Sequence, residues 1–155
     1  MREVDPSHFR SVMGNFATGV TVITATGPSG PVGMTANALA SLSLEPLLLL
    51  VAFDNSARTL SVVKDTRRFG VNVLAAGQEE LARSFASKLP EAEKFAGVPY
   101  TTHDGLPVIE GGLAWVGCRL EQLVPGGDHT IGIGAVESAE ASDGRPLIWF
   151  RGAYR

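Results

Sequence analysis

Four stretches of this 155-residue chain carry side chains able to do chemistry at a site. "GGDHTIGIGAVES", residues 126–138, sets His129 behind two glycines and an acid. Glycine lets a ligand approach the backbone closely, and imidazole donates to a phosphate or an amide whether or not it is charged. Taken alone, a histidine here reads as a turn residue. "MTANALASLSLEP", residues 34–46, places Thr35, Asn37, Ser41 and Ser43 at odd positions, with Ala36, Ala38, Leu42 and Leu44 between them. In an extended segment the odd set shares one face. That face either offers donors and acceptors to the polar edge of a flat heterocycle or is simply solvated. "DNSARTL", residues 54–60, follows an apolar run and opens a helix, with Ser56 at a capping position and Thr59 in the first turn. Free backbone N–H groups and the helix dipole favour a phosphate there, although a serine at a helix start commonly does no more than cap it. Arg58 adds charge to such a site or faces water. In "FASKLPEAEKF", residues 85–95, Lys88 and Lys94 stand near a helix end, solvated or reaching an anionic group.

The common catalytic patterns are absent. The chain has no serine-nucleophile elbow, no phosphate-binding lysine loop and no histidine pair at metal spacing. Its three histidines, His8, His103 and His129, are far apart, and no metal site is expected. The single cysteine, Cys118, lies in a strand-like segment and reads as a packed, inert thiol. One cysteine also excludes an internal disulfide framework. Without a nucleophile or a metal, a bound organic cofactor is the natural carrier of difficult chemistry on a small scaffold.

The elements that must position these residues are mostly strands. "SHFRSVMGNF", residues 7–16, begins with a capping-type Ser7 and spaces Phe9, Val12, Met13 and Phe16 as the apolar stripe of a short helix. "GVTVITA" (19–25) and "VGMTANAL" (32–39), joined by "GPSGP", read as a hairpin. "PLLLLVAF" (46–53) reads as a strand buried on both faces, and "SARTLSVVKD" (56–65) as a helix capped by Ser56. "RFGVNVL" (68–74) is a further strand. "GQEELARSFASKL" (77–89) is a helix with Leu81, Phe85 and Leu89 four residues apart. An irregular stretch then precedes a long strand, 113–124, the histidine segment and a final strand, 146–152. Strands do not alternate with crossover helices, which argues against a doubly wound parallel sheet. The expectation is a mainly β fold: a closed or nearly closed antiparallel barrel with a few peripheral helices, which hides its strand edges.

Bulk properties agree. Hydrophobic residues make up 45% and charged residues 19%, enough for one sizeable core, and one domain over residues 1–155 is expected. The net charge of −3 and the scattered basic residues argue against a nucleic-acid surface. The longest apolar run, residues 47–53, is too short to span a membrane, and the first ten residues carry no hydrophobic signal region, so a cytoplasmic protein is expected.

Set in order, "GVTVIT", "GMTANALASLSLEPLLLLVAF", "SARTL", "FGVNVL", "LARSFA", "GLPVIEGGLAWVGCRL", "GGDHTIGIGAV" and "PLIWFRGAY" resemble the short-chain flavin reductases, which supply reduced flavin to two-component monooxygenases. The resemblance runs from about Phe9 to the C-terminus. The most specific parts are T-A-N followed by two serines, S-x-x-T after the apolar strand, G-D-H, and a C-terminal G-x-Y. It implies an FMN-binding split β-barrel of Greek-key-like antiparallel strands, a homodimer, FMN (with FAD possible) as the flavin, NADH or NADPH as hydride donor, and a partner monooxygenase. By the same resemblance, Thr35, Ala36, Asn37 and Ala38 lie along the isoalloxazine, with Ser41 and Ser43 toward ribityl chain and ring. Asn55, Ser56 and Thr59 lie near the FMN phosphate, and Lys88 and Phe95 flank the cofactor. His129 stands beside the nicotinamide nucleotide, and Tyr154 at the pocket rim. Many relatives read T-A-N-S where this chain has Ala38, so one side-chain hydrogen bond of about 1 kcal/mol is missing. The hydride step needs no protein acid, which makes His129 a positioning group. A flavoprotein with fixed FMN, or a non-catalytic FMN-binding module, is the alternative, since fold does not settle function.

Overall fold

The first helix, α1 (Pro6–Met13), starts at Asp5, not at Ser7: the Asp5 carboxylate accepts the His8 N–H at 2.8 Å, and Pro6 fills the first helical position, where no N–H is needed. The computed structural model describes Met1 and residues 3–155. Short β1 (Thr18–Gly19) leads into β2 (Thr21–Gly27), which pairs with β3 (Gly30–Ala36) through the two-residue Pro28–Ser29 turn. The chain breaks at Asn37–Ala38 before β4 (Leu39–Leu44), which pairs with β5 (Leu47–Asp54). α2 (Arg58–Thr66) returns the chain to β6 (Arg68–Val73), and α3 (Glu79–Ala86) and α4 (Glu91–Phe95) cover one side. The hairpin β7 (Tyr100–His103) and β8 (Leu106–Ile109) precedes the two longest strands, β9 (Ala114–Gly126) and β10 (His129–Ala141). A last hairpin, β11 (Ile148–Phe150) and β12 (Ala153–Tyr154), ends the chain.

The architecture is mainly β and antiparallel, as expected. Seven strands form one sheet in the order β3-β2-β6-β9-β10-β5-β4, and its two edge strands are neighbours in sequence. A three-stranded sheet, β1-β11-β12, and the β7-β8 pair flank it. One core cluster lies between the large sheet and α2 and includes Ile23, Val51, Phe53, Val63, Phe69 and Cys118. A second, around Val22, Leu74, Phe85, Phe95 and Leu147, fills the space under α3 and α4.

Several expectations are corrected. β5 is not buried on both faces: Leu49, Val51 and Phe53 are buried, while Leu48, Leu50 and Ala52 are half-buried. α3 ends at Ala86, so Leu89 falls outside it and is exposed. The irregular stretch after residue 89 holds α4 and the β7–β8 hairpin, which the buried Asn72 ties to the sheet by accepting the Ile109 N–H at 2.8 Å. The final strand is two short strands around a turn at Arg151 and Gly152, both at positive φ. The apolar stripe of α1 meets no core: Phe9, Val12, Met13 and Phe16 are all exposed.

Candidate functional site

A cavity of about 580 Å³ opens between the β3–β4 junction, the ends of β5 and β10, the start of α2 and the segment that follows α3. Four local structures build its walls.

The first wall is the end of β3 with the two residues after it. Thr35, Ala36, Asn37 and Ala38 all line the cavity. The Thr35 hydroxyl donates to the Ala82 carbonyl at 2.6 Å, which fastens the strand to α3 and leaves its backbone edge as the surface offered to a ligand. Asn37 Nδ2 reaches the Thr18 hydroxyl at 3.2 Å. Because β3 stops at Ala36 and β4 starts at Leu39, the odd-numbered set does not share one face. Thr35 and Ser41 sit on opposite edge strands, and a bulge separates Ser41 from Ser43. Neither serine lines the cavity.

The second wall is the start of α2. Ser56 lines the cavity but does not cap the helix. Its hydroxyl and its N–H both go to the Asp54 carboxylate, at 2.6 and 2.8 Å. These bonds, with His129 and Lys88 nearby, hold the Asp54 carboxyl below the usual carboxylate range. The N-cap residue is Ala57, and no side chain caps the first turn. Thr59 in that turn is 1% exposed and lines the cavity, yet its hydroxyl has no hydrogen-bond partner among the described residues. A buried hydroxyl left unpaired costs about 1–3 kcal/mol. An uncapped nine-residue helix start beside such a hydroxyl is the donor set that a phosphate oxygen satisfies.

The third wall carries His129. As the first residue of β10 it pairs with Gly126 on β9 and with Asp54 on β5. Gly127, at φ 68°, makes the tight two-residue turn that brings it there. Its Nδ1 lies 2.7 Å from the Asp128 carboxylate, which leaves Nε2 as the free ring nitrogen. Asn55 does not line the cavity. It accepts the Thr130 hydroxyl at 2.6 Å, donates Nδ2 to the Gly127 carbonyl at 3.2 Å, and gives its N–H to Asp128 O at 3.1 Å. Asn55 therefore pins the turn that carries His129.

The fourth wall runs from Phe85 to Lys94. Lys88 is exposed at the cavity edge. Lys94, in contrast, is 6% exposed, with Nζ 3.1 Å from Glu91 and donating to the Gly33 carbonyl at 3.2 Å. Glu91 in turn accepts the Gly33 N–H at 3.2 Å. The pair clamps the middle of β3, and Arg58 holds the same segment through the Leu89 carbonyl and, at 3.8 Å, Glu91. Residue types in the sequence do not single out Glu91 or Gly33, because only the tertiary fold brings α4 under β3. Arg58, Lys88 and Lys94 outnumber Asp54 and Glu91 among the charged lining groups, three against two, so the cavity favours an anion.

Besides Ser41, Ser43 and Asn55, two more expected site residues lie elsewhere. Phe95 is in the second core, edge-on to Phe85 at 4.9 Å. Tyr154 stacks edge-on to Trp149 at 4.9 Å in a neighbouring cavity. The large cavity therefore gathers Thr35, Ala36, Asn37, Ala38, Ser56, Thr59, Lys88 and His129, and leaves Ser41, Ser43, Asn55, Phe95 and Tyr154 outside its lining.

Residues 13–155 match the family model described as "Flavin reductase like domain". The chain is 42% identical over 156 residues to the reductase subunit HsaB of a flavin-dependent monooxygenase from Mycobacterium tuberculosis, covering 98% of this chain and 82% of that protein. It is 36% identical over 156 residues to an NADH-dependent flavin reductase from Rhodococcus sp., covering 99% and 87%. The fold superposes with a TM-score of 0.93 on the NADH:FAD oxidoreductase SgcE6 of Streptomyces globisporus, at 38% identity over 100% of this chain and 96% of that one.

Proposed function

The chain belongs to the flavin reductase-like family, and from that premise we propose that it is an NAD(P)H:flavin oxidoreductase that hands reduced flavin to a partner monooxygenase. In the overall reaction NAD(P)H gives a hydride to FMN or FAD, a proton is taken up, and NAD(P)⁺ and reduced flavin leave. The nicotinamide and the flavin supply the redox chemistry between them. The chain holds the two rings together, which converts a bimolecular encounter into a positioned one.

The observation that carries this reading is the unpaired, buried Thr59 hydroxyl at the uncapped start of α2, in the same cavity as His129. These groups fit the phosphate of FMN. The Thr35–Ala38 edge then faces the ring system, and Lys88 at the mouth adds positive charge. His129, oriented through Nδ1 by Asp128, directs its other nitrogen to the nicotinamide nucleotide and donates to its amide or phosphates. The homologue named as NADH-dependent and the one named as an NADH:FAD oxidoreductase support both nucleotide classes.

The proposal extends to residues 1–155 as one domain working as a homodimer in the cytoplasm. Phe9, Val12, Met13, Phe16, Leu42, Leu44 and Leu47 are exposed on α1, the segment after it, β4 and the start of β5, and a second copy would cover apolar surface of this kind. Among the described residues no helix is long and apolar enough to cross a membrane.

The test is NADH oxidation by purified protein with FMN, FAD and riboflavin compared side by side. Saturable oxidation that depends on added flavin is expected. Tightly retained yellow cofactor with no oxidation would overturn the reading in favour of a binding module.

A further inference from the structure

Asp54, the last residue of β5, is exposed and lines the cavity proposed for the flavin. One of its carboxylate oxygens, Oδ1, accepts both the Ser56 hydroxyl at 2.6 Å and the Ser56 N–H at 2.8 Å. The Asp54 carbonyl accepts the Ala57 N–H at 3.0 Å, so residues 54–57 form a turn that leads into α2. His129 is the cross-strand partner of Asp54, and Lys88 also stands near it. The two Ser56 bonds, with these neighbours, hold the carboxyl below its usual range, so it stays ionised at neutral pH. The turn itself does not need that charge: an asparagine accepts the same two bonds in an Asx-turn.

A permanent carboxylate therefore stands in a cavity otherwise suited to an anion. Lys94 and Glu91 are paired with each other at 3.1 Å. The remaining charged lining groups are Arg58, itself 3.8 Å from Glu91, and Lys88 against Asp54. A flavin phosphate carries a charge of about −1.5 to −2 at neutral pH. It meets both Ser56 donors already taken, with the Thr59 hydroxyl and the first N–H groups of α2 remaining. We propose that Asp54 is a built-in competitor for the flavin phosphate: its carboxylate occupies the Ser56 donors and repels the incoming anion, which keeps flavin affinity low enough for the reduced product to leave. The inference rests on the flavin reading of the cavity and deepens it, because a diffusible flavin must be released at every turnover and a fixed prosthetic group must not.

The probe is FMN, titrated with purified protein and followed by quenching of flavin fluorescence, with no turnover involved. Asp54→Asn keeps the acceptor for Ser56 and removes the charge. Its Kd for FMN is expected to fall about fivefold, mostly through slower dissociation, while the Kd for riboflavin, which has no phosphate, stays at the parent value. Asp54→Glu keeps the charge and is expected to show no tightening. A merely structural role for Asp54 predicts the opposite sign, since a weakened turn loosens every flavin. An FMN Kd in Asp54→Asn that is unchanged or higher overturns the inference. So does equal tightening for riboflavin, or tightening in Asp54→Glu. Inorganic phosphate is a probe independent of the flavin. At equal concentration it is expected to raise the Tm of Asp54→Asn more than that of the parent, each against its own phosphate-free value, and equal shifts overturn the inference. A parent that binds neither FMN nor riboflavin would instead count against the flavin reading, and the phosphate shifts would still test Asp54.

Discussion

Two residues set the chemistry of the site by what they do not touch, and a third, Cys118, is kept out of it by burial. The Thr59 hydroxyl is buried and has no partner among the described residues, so Thr59→Val removes a group that costs the ligand-free protein free energy and that the proposed function assigns to the flavin phosphate. The ligand-free Tm is expected to hold or rise, while the Kd for FMN rises about tenfold and that for riboflavin, which lacks the phosphate, does not change. An equal loss for both flavins would place the phosphate elsewhere. His129 has one nitrogen committed to Asp128 and one free. His129→Ala is expected to raise the apparent KM for NADH more than it weakens FMN binding, and equal loss of both would sink the positioning role. Cys118 is fully buried, and burial pushes its thiol up to about 12. Native protein should therefore resist alkylation at pH 8 and react only on unfolding. Since the folded value lies above that of an exposed thiol, the contribution of this group to stability is intact below pH 9 and is lost progressively as pH rises toward 12. Alkylation of native protein at the rate of a free thiol would contradict the burial.

At the scale of elements, β10 shows how a glycine pattern serves packing. Its alternation places Ile131 and Ile133 on one face, half-buried, and Gly132 and Gly134 on the buried face. The rings of Phe53 and Phe69 occupy the space that side chains would need. A Cβ on Gly132 would lie 2.8 Å from Phe53, and one on Gly134 would lie 2.7 Å from Phe69. The two rings meet edge-on at 5.9 Å. Gly134→Ala is therefore an overpacking substitution, expected to lower stability by about 1–3 kcal/mol in urea unfolding. An unchanged midpoint would mean that the rings do not approach this strand. The same logic holds at Gly33, where a Cβ would sit 2.7 Å from Phe85. There the consequence reaches function, because β3, Phe85 and the Lys94–Glu91 clamp together form one side of the cavity.

For the whole molecule, the unused apolar surface is the main question. Phe16 is 69% exposed and Leu44 83% exposed, values at which a core residue in a monomer would be anomalous. If a second copy covers them, light scattering should give twice the chain mass, and Phe16→Asp with Leu44→Asp should give single chains. A parent protein that runs as a monomer at micromolar concentration would overturn the homodimer proposal.

The amino-acid order alone determined the mainly β, antiparallel character, most strand and helix positions, and the cluster of Thr35, Ala36, Asn37, Ala38, Thr59 and His129. Each of these depends on local rules of alternation, turn glycines and helix starts, or on an ordered set of motifs. Tertiary structure alone decided the rest. Ser56 turned from cap to Asp54 ligand, Asn55 became the brace of the His129 turn, and Lys94 moved from a solvated helix end into a buried clamp. Ser41 and Ser43 were separated from Thr35 by a two-residue break that no period reveals. The physical reason is common to all four. A polar side chain takes whichever partner the fold brings within hydrogen-bond reach, and those partners lie on elements distant in sequence or hinge on a local break in the chain that side-chain periodicity cannot register.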